Sequence, residues 1–407
     1  MRKFFPMSAC ILVASCGGAS TVSPTPPPPP PPVAVFGTGP ADCVGGLADG
    51  YACNGITLEK NITLATFGAG YGNDIWGWTD PDTGIEYALM GLNNATAFVR
   101  IDNPKVPVLI GKLPTQTIAS TWRDIKVYKN YAFITADVSG PHGMQIFDLT
   151  RLRTNNTNVT FTADALYSNF ENAHNIAIDE TSGYAYIVGT NTCGGGLHIV
   201  DISDPLNPVF QSCHAADGDT HDAQCVSYIG PDPDYAGSEI CFDSNEDSIA
   251  IVDVSDKAAP ASIASQVYPD LGFTHQAWLD DTQKFLVVND EFDERNFRVR
   301  TSTIVFDVSD LDAPTYLYTH KGTTNSIDHN LYIVDNKMYQ ANYSSGLRIL
   351  DFTDLATDTL TETAFFDTYP ENNETGFDGA WSVYPFFTSG TIIVSDTRRG
   401  LFILAPQ

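Results

Sequence analysis

The chain has 407 residues, and its 49 acidic side chains against 21 basic ones give a formal net charge of −28. Proteins that bind nucleic acids through phosphate charge need clustered lysine and arginine, so this balance excludes that class of partner. A hydrophobic content of 43%, with 32 glycines and 25 prolines, favours a globular protein of many short strands joined by tight turns.

Residues 1–15 have the pattern of a signal peptide. A basic start precedes Phe4 to Val13, which is mostly apolar but too short to be a stable bilayer anchor. Small residues then precede Cys16 in a pattern that resembles the bacterial lipobox, and the resemblance implies cleavage before Cys16 and acylation of its thiol. An ordinary secretory signal is the alternative. In either case we expect an exported protein, and a lipid would tether it to the outer membrane or surface of a bacterium.

Residues 16–40 are predicted to be a linker between this lipid and the body of the protein. Pro26 to Pro32 is a run of consecutive prolines, which favours a stiff polyproline II segment of about 3.1 Å per residue. Such a segment would hold a domain away from a membrane, so the membrane is the first expected partner.

The cysteines agree with export. Besides Cys10 in the signal segment and Cys16, six cysteines remain, and an even number in an exported chain predicts disulfides. Six cysteines allow about fifteen sets of pairs, so the sequence alone leaves the pairing open. A cysteine-rich metal site is the alternative, but the chain contains no C-x-x-C spacing. Pairing of nearest neighbours would give Cys43–Cys53, Cys193–Cys213 and Cys225–Cys241.

Residues 41–407 contain a repeat, which is clearest in a strand that ends in aspartate, as in Gly196–Asp201 and Gly346–Asp351. Polar turns follow these strands, so we expect the aspartates to hold turn backbone and to have no catalytic role. A second recurring pattern within the chain is a polar pair that opens a short apolar strand. Successive pairs are 50, 51, 47, 54, 54 and 49 residues apart, and their first residues are Asn73, Arg123, His174, His221, His275, His329 and Asp378.

Seven copies of roughly fifty residues, each with about four strands, predict an all-β, seven-bladed β-propeller. The seventh copy stops after its third strand, and Ile62 to Phe67 alternates like a strand that has no other partner. We therefore predict that this N-terminal segment supplies the missing outer strand. Closure of this kind removes exposed sheet edges.

The repeated Leu-x-Ile-Val-Asp strands resemble the LVIVD repeat. Together with Trp76-Gly77-Trp78 and Trp122-Arg123-Asp124, the array resembles the bacterial choice-of-anchor B family. The resemblance covers the chain from about Cys43 to the C-terminus and implies an exported, propeller-like protein with a surface anchor. It implies no catalytic residues.

Innermost strands line the channel of a propeller, so the first residues of the seven copies should surround one mouth. Imidazoles beside carboxylates suit Zn²⁺ or a similar ion, which could activate water for hydrolysis. The alternative is structural, because these side chains could also bond the neighbouring blade. The candidate metal ligands are His174, His221, His275 and His329, and the candidate ligand-binding residues are Asn73, Arg123, Asp124, Asp222 and Asp378.

Three dense acidic segments also have donors suited to Ca²⁺, although none has the spacing of an EF-hand loop. We expect solvated loops at these positions, which are Asp217–Asp219, Asp243–Asp247 and Asp290–Glu294.

No nucleophile elbow, P-loop, H-E-x-x-H or dinucleotide motif occurs. The sequence therefore favours a non-enzymatic surface module that binds a protein or a polysaccharide through loops at one propeller face. The alternative is a metal-dependent hydrolase with its site at the channel mouth.

Overall fold

The computed structural model describes residues 36–153 and 157–407, which form a β-propeller of seven sheets. Residues 36–407 make up one compact unit. The predicted signal peptide, Cys16 and all but the end of the linker lie outside the described residues. Within these two ranges no helix is long and apolar enough to cross a bilayer.

The strands are numbered in chain order, and the first three precede the first blade. They are β1 (Leu47–Ala48), β2 (Tyr51–Asn54) and β3 (Ile56–Ile62). Blades 1 to 3 contain β4 (Gly72–Thr79), β5 (Glu86–Leu92), β6 (Ala95–Arg100), β7 (Val108–Pro114), β8 (Arg123–Tyr128), β9 (Tyr131–Ala136), β10 (Met144–Asp148), β11 (Val159–Thr160), β12 (Ala165–Tyr167), β13 (Asn175–Asp179), β14 (Tyr184–Val188), β15 (Leu197–Asp201) and β16 (Val209–His214).

Blades 4 to 7 follow with the same four-stranded pattern. Their strands are β17 (Asp222–Ser227), β18 (Glu239–Ser244), β19 (Ile249–Asp253), β20 (Ala261–Gln266), β21 (Thr274–Leu279), β22 (Phe285–Asp290), β23 (Ser302–Asp307), β24 (Thr315–Lys321), β25 (Asn330–Val334), β26 (Lys337–Ala341), β27 (Leu347–Asp351), β28 (Thr361–Phe366), β29 (Ala380–Tyr384), β30 (Ile392–Asp396) and β31 (Gly400–Pro406). Two short helices, α1 (Leu64–Phe67) and α2 (Asp293–Phe297), and three 3₁₀ turns (Leu149–Leu152, Cys193–Gly195 and Pro233–Tyr235) interrupt them.

Each blade is an antiparallel sheet whose first strand is innermost. Blade 1 also pairs β11 in parallel with β7, and blade 2 uses β12 as its outer strand. Blades 3, 4 and 5 follow the order of the chain, β2 and β1 extend the outer edge of blade 6, and β3 is the outer strand of blade 7. The innermost strands β4, β8, β13, β17, β21, β25 and β29 surround the channel.

The ring closes as predicted, by pairing of an N-terminal strand with the last strand of the chain. The closing strand is β3, which pairs antiparallel with β31. The predicted segment from Ile62 to Phe67 was wrong, because most of it forms α1. The hydroxyl of Thr63 accepts a hydrogen bond from the N–H of Thr66 and caps α1, and Gly68 ends it in the left-handed conformation (φ 63°).

The apolar core is a ring of seven interfaces between neighbouring sheets. Blades 1 and 2, for example, meet at Phe98 and Phe147, whose stacked rings are 4.6 Å apart. Six further clusters join the other neighbours, including blades 7 and 1. The cluster between blades 7 and 1 forms only when the ring is closed. We therefore expect folding of the blades to be coupled to closure.

The repeated aspartates hold turns, as expected from the sequence. Asp201, Asp253 and Asp307 each accept a hydrogen bond from the N–H two residues later, at 2.8 Å. Three disulfides are formed, and they are the pairs of nearest neighbours: Cys43–Cys53, Cys193–Cys213 and Cys225–Cys241.

Candidate functional site

The four candidate metal-binding histidines lie side by side at one end of the channel. His174, His221, His275 and His329 come from blades 3 to 6, and adjacent ring centroids are 4.2, 4.3 and 4.1 Å apart. Trp122 and Trp381 continue the wall on either side. These six residues are called the histidine mouth.

β-Bulges decide which residues of the other blades face the channel. In β29, Ala380 and Ser382 pair with consecutive residues of β30, so Trp381 is an extra residue that turns inward. Its ring lies 4.7 Å from that of His329. The same irregularity in β21 places His275 at an extra position.

None of the five candidate ligand-binding residues lines the cavity at the histidine mouth, although Arg123, Asp124 and Asp222 line the channel next to it. Asn73 is fully buried and donates from Nδ2 to the carbonyl of Thr121 (3.2 Å). Asp378 instead accepts a hydrogen bond from Arg398 (2.6 Å). The prediction that the first residue of every copy faces the mouth was therefore wrong for Asn73 and Asp378.

Arg123 is also placed differently from the prediction. It is 2% exposed, and its Nε donates to the carbonyl of Leu92 (3.1 Å) while Nη1 lies 3.4 Å from Nε2 of His142. Burial lowers the pKa of Arg123 to about 10. Nε and Nη1 are therefore engaged between blades 1 and 2, whereas Nη2 has no hydrogen-bond partner among the described residues, and Arg123 lines the channel and not the cavity at the mouth.

Hydrogen bonds fix the proton positions of two of the four mouth histidines. Nδ1 of His221 bonds the carbonyl of His275 (3.0 Å), and Nδ1 of His329 bonds the carbonyl of Trp381 (2.5 Å). A carbonyl only accepts, so Nδ1 carries the proton in both rings and Nε2 keeps a free lone pair. Nδ1 of His174 lies 3.0 Å from Asp137. Among residues 36–153 and 157–407, no Nε2 of the four rings has a hydrogen-bond partner.

One carboxylate joins the histidines. Glu291 follows β22, and its oxygen, Nε2 of His329 and a ring nitrogen of His275 all lie within 4.8 Å of one another. The separation between Glu291 and His329 is 3.8 Å. Ligand atoms bound about 2.1 Å from one tetrahedral ion stand roughly 3.4 Å apart, so small side-chain rotations bring the three donors to metal-binding distance. The hydroxyl of Tyr343 donates to Glu291 (2.8 Å) and orients it.

Burial controls the charge of the mouth. It lowers the pKa of His329 to about 3, and it holds the pKa values of His221 and His275 well below the usual range. Burial also raises the pKa of Glu291 to about 7. At neutral pH the imidazoles of His221, His275 and His329 are therefore uncharged bases, which is the form that binds metal ions.

A cavity of about 310 Å³ opens above these donors. Asp219 and Glu246 lie at its rim, and burial raises the pKa values of both carboxyl groups. The cavity thus offers carboxyl groups suited to proton transfer beside the three donors.

Below the histidine mouth a buried lysine narrows the channel. Nζ of Lys126 lies 2.7 Å from Asp124, 3.9 Å from Asp74 and 4.7 Å from the centre of the Trp76 ring. Asp222 lines the same constriction, and burial raises its pKa to about 7. Burial opposes the charge of Lys126, but attraction to Asp124 and Asp74 raises its pKa above the usual value.

Several polar residues at this level bond the neighbouring blade. Asp124 accepts from the N–H of Ile176 (2.8 Å), and Gln276 accepts from the N–H of Leu331 (2.6 Å). Asp222 accepts from the N–H of Ala223 (2.7 Å), within its own strand. Asp124 thus bonds the neighbouring blade, as the structural interpretation of the sequence predicted. Asp222 faces the constriction.

The opposite end of the channel is aromatic. Trp76, Trp278, Tyr384 and Phe386 border a cavity of about 500 Å³ and are called the aromatic mouth. Their rings make edge contacts, as between Trp76 and Tyr384 (5.2 Å). Trp78 is buried in the core.

The acidic segment Asp290–Glu294 is not the solvated loop expected from the sequence. Asp290 is fully buried, and Asp293 and Glu294 are each 2% exposed. Glu291 reaches the histidine mouth, whereas Asp293 and Glu294 turn toward Asp328.

Comparison with known families supports the repeat. Residues 172–213 and 244–266, which cover blade 3 and the second half of blade 4, match the LVIVD repeat. No curated protein matches the chain.

Solved structures with a similar fold are distant in sequence. A protein from Lactobacillus plantarum is 13% identical, with a TM-score of 0.50, and the match covers 80% of this chain and 88% of that one. A chain of the COPII outer coat vertex on membranes is 10% identical, with a TM-score of 0.57 over 82% and 84%. The periplasmic gluconolactonase PpgL of Pseudomonas aeruginosa is 11% identical, with a TM-score of 0.47 over 72% and 87%. These similarities concern the fold alone.

Proposed function

We propose that the protein is exported, is held at the cell surface by a lipid on Cys16, and carries a metal-dependent hydrolytic site at the histidine mouth. The observation that carries this proposal is the set of three donors from His275, Glu291 and His329 beneath an open cavity. Two imidazoles and one carboxylate are a donor set of catalytic zinc sites, which leave a position open to water or substrate.

The residues around these donors supply the rest of a hydrolytic site. The hydrogen bonds of Nδ1 in His329 and of the Glu291 carboxylate orient both ligands before a metal binds. A bound zinc ion supplies a Lewis acid that polarises a carbonyl or phosphoryl oxygen and acidifies water. Glu246 or Asp219 at the rim would transfer the proton to the leaving group.

Zinc binding and hydrolysis test the proposal together. The purified protein is stripped with a chelator and dialysed against Zn²⁺, and its hydrolysis of p-nitrophenyl esters and phosphate esters is measured. We expect one zinc ion per chain, lost in His275→Ala and His329→Ala but retained in His320→Ala, an outer-strand control. The double variant Glu246→Gln/Asp219→Asn should retain zinc and lose hydrolysis. Wild-type protein that binds no zinc, or that binds zinc without hydrolysing any ester, would contradict the hydrolase.

A second candidate function rests on the aromatic mouth. We propose that this cavity binds a surface polysaccharide, because half-buried aromatic faces beside polar groups such as Gln224 and Glu180 suit sugar rings. Binding to a panel of neutral glycans should weaken in Trp278→Ala and persist in Trp122→Ala, the matched tryptophan of the other mouth. Equal binding by both variants would exclude the aromatic mouth as the glycan site.

A further inference from the structure

A cluster of three buried carboxylates lies between blades 5 and 6, apart from the donors of the histidine mouth. Asp293 and Glu294 are in the first turn of α2, and Asp328 lies in the segment before β25. Their exposed fractions are 2%, 2% and 0%, and one oxygen from each lies within 4.8 Å of the others. The fold therefore places three acidic groups together with almost no access to solvent.

Four oxygens of this cluster have no hydrogen-bond partner among the described residues. They are one oxygen of Asp293, one of Glu294 and both of Asp328. Asp290, in the same loop, shows the contrast, because its two oxygens accept four main-chain N–H bonds and one from the hydroxyl of Tyr268. The hydrogen bonds of this loop thus fully occupy the buried carboxylate of Asp290. The carboxylates of Asp293, Glu294 and Asp328 keep oxygens that a ligand could bind.

The charge of the cluster defines that ligand. Three carboxylates bring −3, and Nζ of Lys321, 3.9 Å from Asp293, brings +1. Lys321 therefore offsets only part of the negative charge, and a divalent cation provides the partner that buried carboxylates require. The donors are oxygens only, which suit the hard ion Ca²⁺, whereas zinc prefers nitrogen and sulfur ligands.

We propose that Asp293, Glu294 and Asp328 form a calcium site that joins the α2 loop of blade 5 to the innermost strand of blade 6. Asp328 immediately precedes His329, and Asp293 is two residues after Glu291. A calcium ion here therefore fixes the backbone of two residues of the histidine mouth. The site exists whether or not the mouth binds zinc.

Thermal unfolding of the full chain with added CaCl₂ tests this site. After treatment with EGTA, Ca²⁺ should raise the Tm of the wild-type protein saturably, by on the order of 5 °C at a hundredfold excess over Kd. Mg²⁺, which sheds its water reluctantly, should have a smaller effect. Asp328→Asn and Glu294→Gln should lose the shift. The control Asp256→Asn, in an exposed turn of blade 4, should retain it.

The Tm measured in EGTA distinguishes a calcium site from a cluster of carboxyl groups that share protons and bind no ion. In EGTA, Asp328→Asn should melt at or above the wild-type Tm, since one repulsive charge is gone, and the order should reverse in Ca²⁺. A variant that melts lower than wild type in EGTA, or a wild type without a calcium response, would overturn the proposal. A His275→Ala/His329→Ala protein should keep the full calcium response, which separates failure of this site from failure of the zinc site.

Discussion

Histidines have different surroundings at the mouth of the channel and in the outer parts of the blades. Of the eight histidines, four line the mouth, and no Nε2 of these four has a hydrogen-bond partner in the described part of the chain. The other four are paired locally: His142 and His198 bond through both ring nitrogens, and His214 and His320 each bond an aspartate.

The position in the repeat explains this difference. Away from the innermost strands, a histidine lies among side chains of its own blade or the neighbouring blade and finds a hydrogen-bond partner there. At the innermost position, Nδ1 of His221 and of His329 meets a carbonyl of the following blade, while Nε2 faces the channel. The same residue type is therefore a structural element in one region and an open base in the other.

The largest expected effect comes from opening the ring that gathers the mouth. Deleting residues 398–407 removes β31, which pairs with β30 on one side and β3 on the other. We expect loss of cooperative unfolding by circular dichroism, because the interface between blades 7 and 1 is lost with it. Deletion of Gln407 alone, which removes one hydrogen bond to Gly55, is the control. A truncated protein that melts like wild type would show that the mouth does not depend on closure.

The next effect concerns the buried lysine beneath the mouth. Lys126→Met leaves Asp74 and Asp124 without their cation, and breaking a buried ion pair in this way costs about 3–5 kcal/mol of unfolding free energy. Lys129→Met, an exposed lysine that donates to the carbonyl of Ser203, should change stability little. Denaturant unfolding measures both, and equal values for the two variants would be incompatible with the charge arrangement described here.

The pH dependence of a histidine in the third strand of blade 3 is a third effect. Burial lowers the pKa of His198 to about 4, below the value near 6.5 of the unfolded chain. Between these values the unfolded state binds more protons, so stability falls as pH falls from 6.5 to 4, by about 3 kcal/mol. His198→Gln lacks this contribution. Parallel pH profiles of wild type and variant, measured by urea unfolding at pH 7 and pH 4, would contradict it.

The smallest effect is expected at the rim of blade 5. His320 pairs with Asp358 at 2.8 Å, but the aspartate side chain is 46% exposed. Exposed pairs contribute about 0.2–1 kcal/mol, so His320→Ala should lower stability by no more than this. A larger loss would mean that outer histidines carry more of the fold than their surroundings indicate.

The sequence predicted the architecture because the blades repeat. The spacing of the polar pairs gave seven blades, and the shared position of His174, His221, His275 and His329 placed them together correctly. The closing strand was assigned to the wrong residues because Thr63 and Gly68 form helix caps, which an alternating pattern does not reveal.

The sequence could not predict the details that depend on bulges and on contacts between distant segments. An extra residue in β29 turns Trp381 inward in place of Asp378. Glu291 joins the histidines only because the end of β22 in blade 5 lies beside blade 6, and the acidic run around it gave no sign of which carboxylates are buried. Lys126 belongs to no sequence motif. Its role depends on Asp74, Asp124 and Asp222, which closure of the ring brings together around the channel.

We propose above that His275, His329 and Glu291 hold one metal ion. Crystals soaked in Zn²⁺, with diffraction data collected on both sides of the zinc absorption edge, test it directly. We expect a single strong anomalous peak about 2.1 Å from ring nitrogens of both histidines and beside the Glu291 carboxylate. Anomalous density confined to surface aspartates or to outer histidines such as His214 and His320, with none at the mouth, would contradict it.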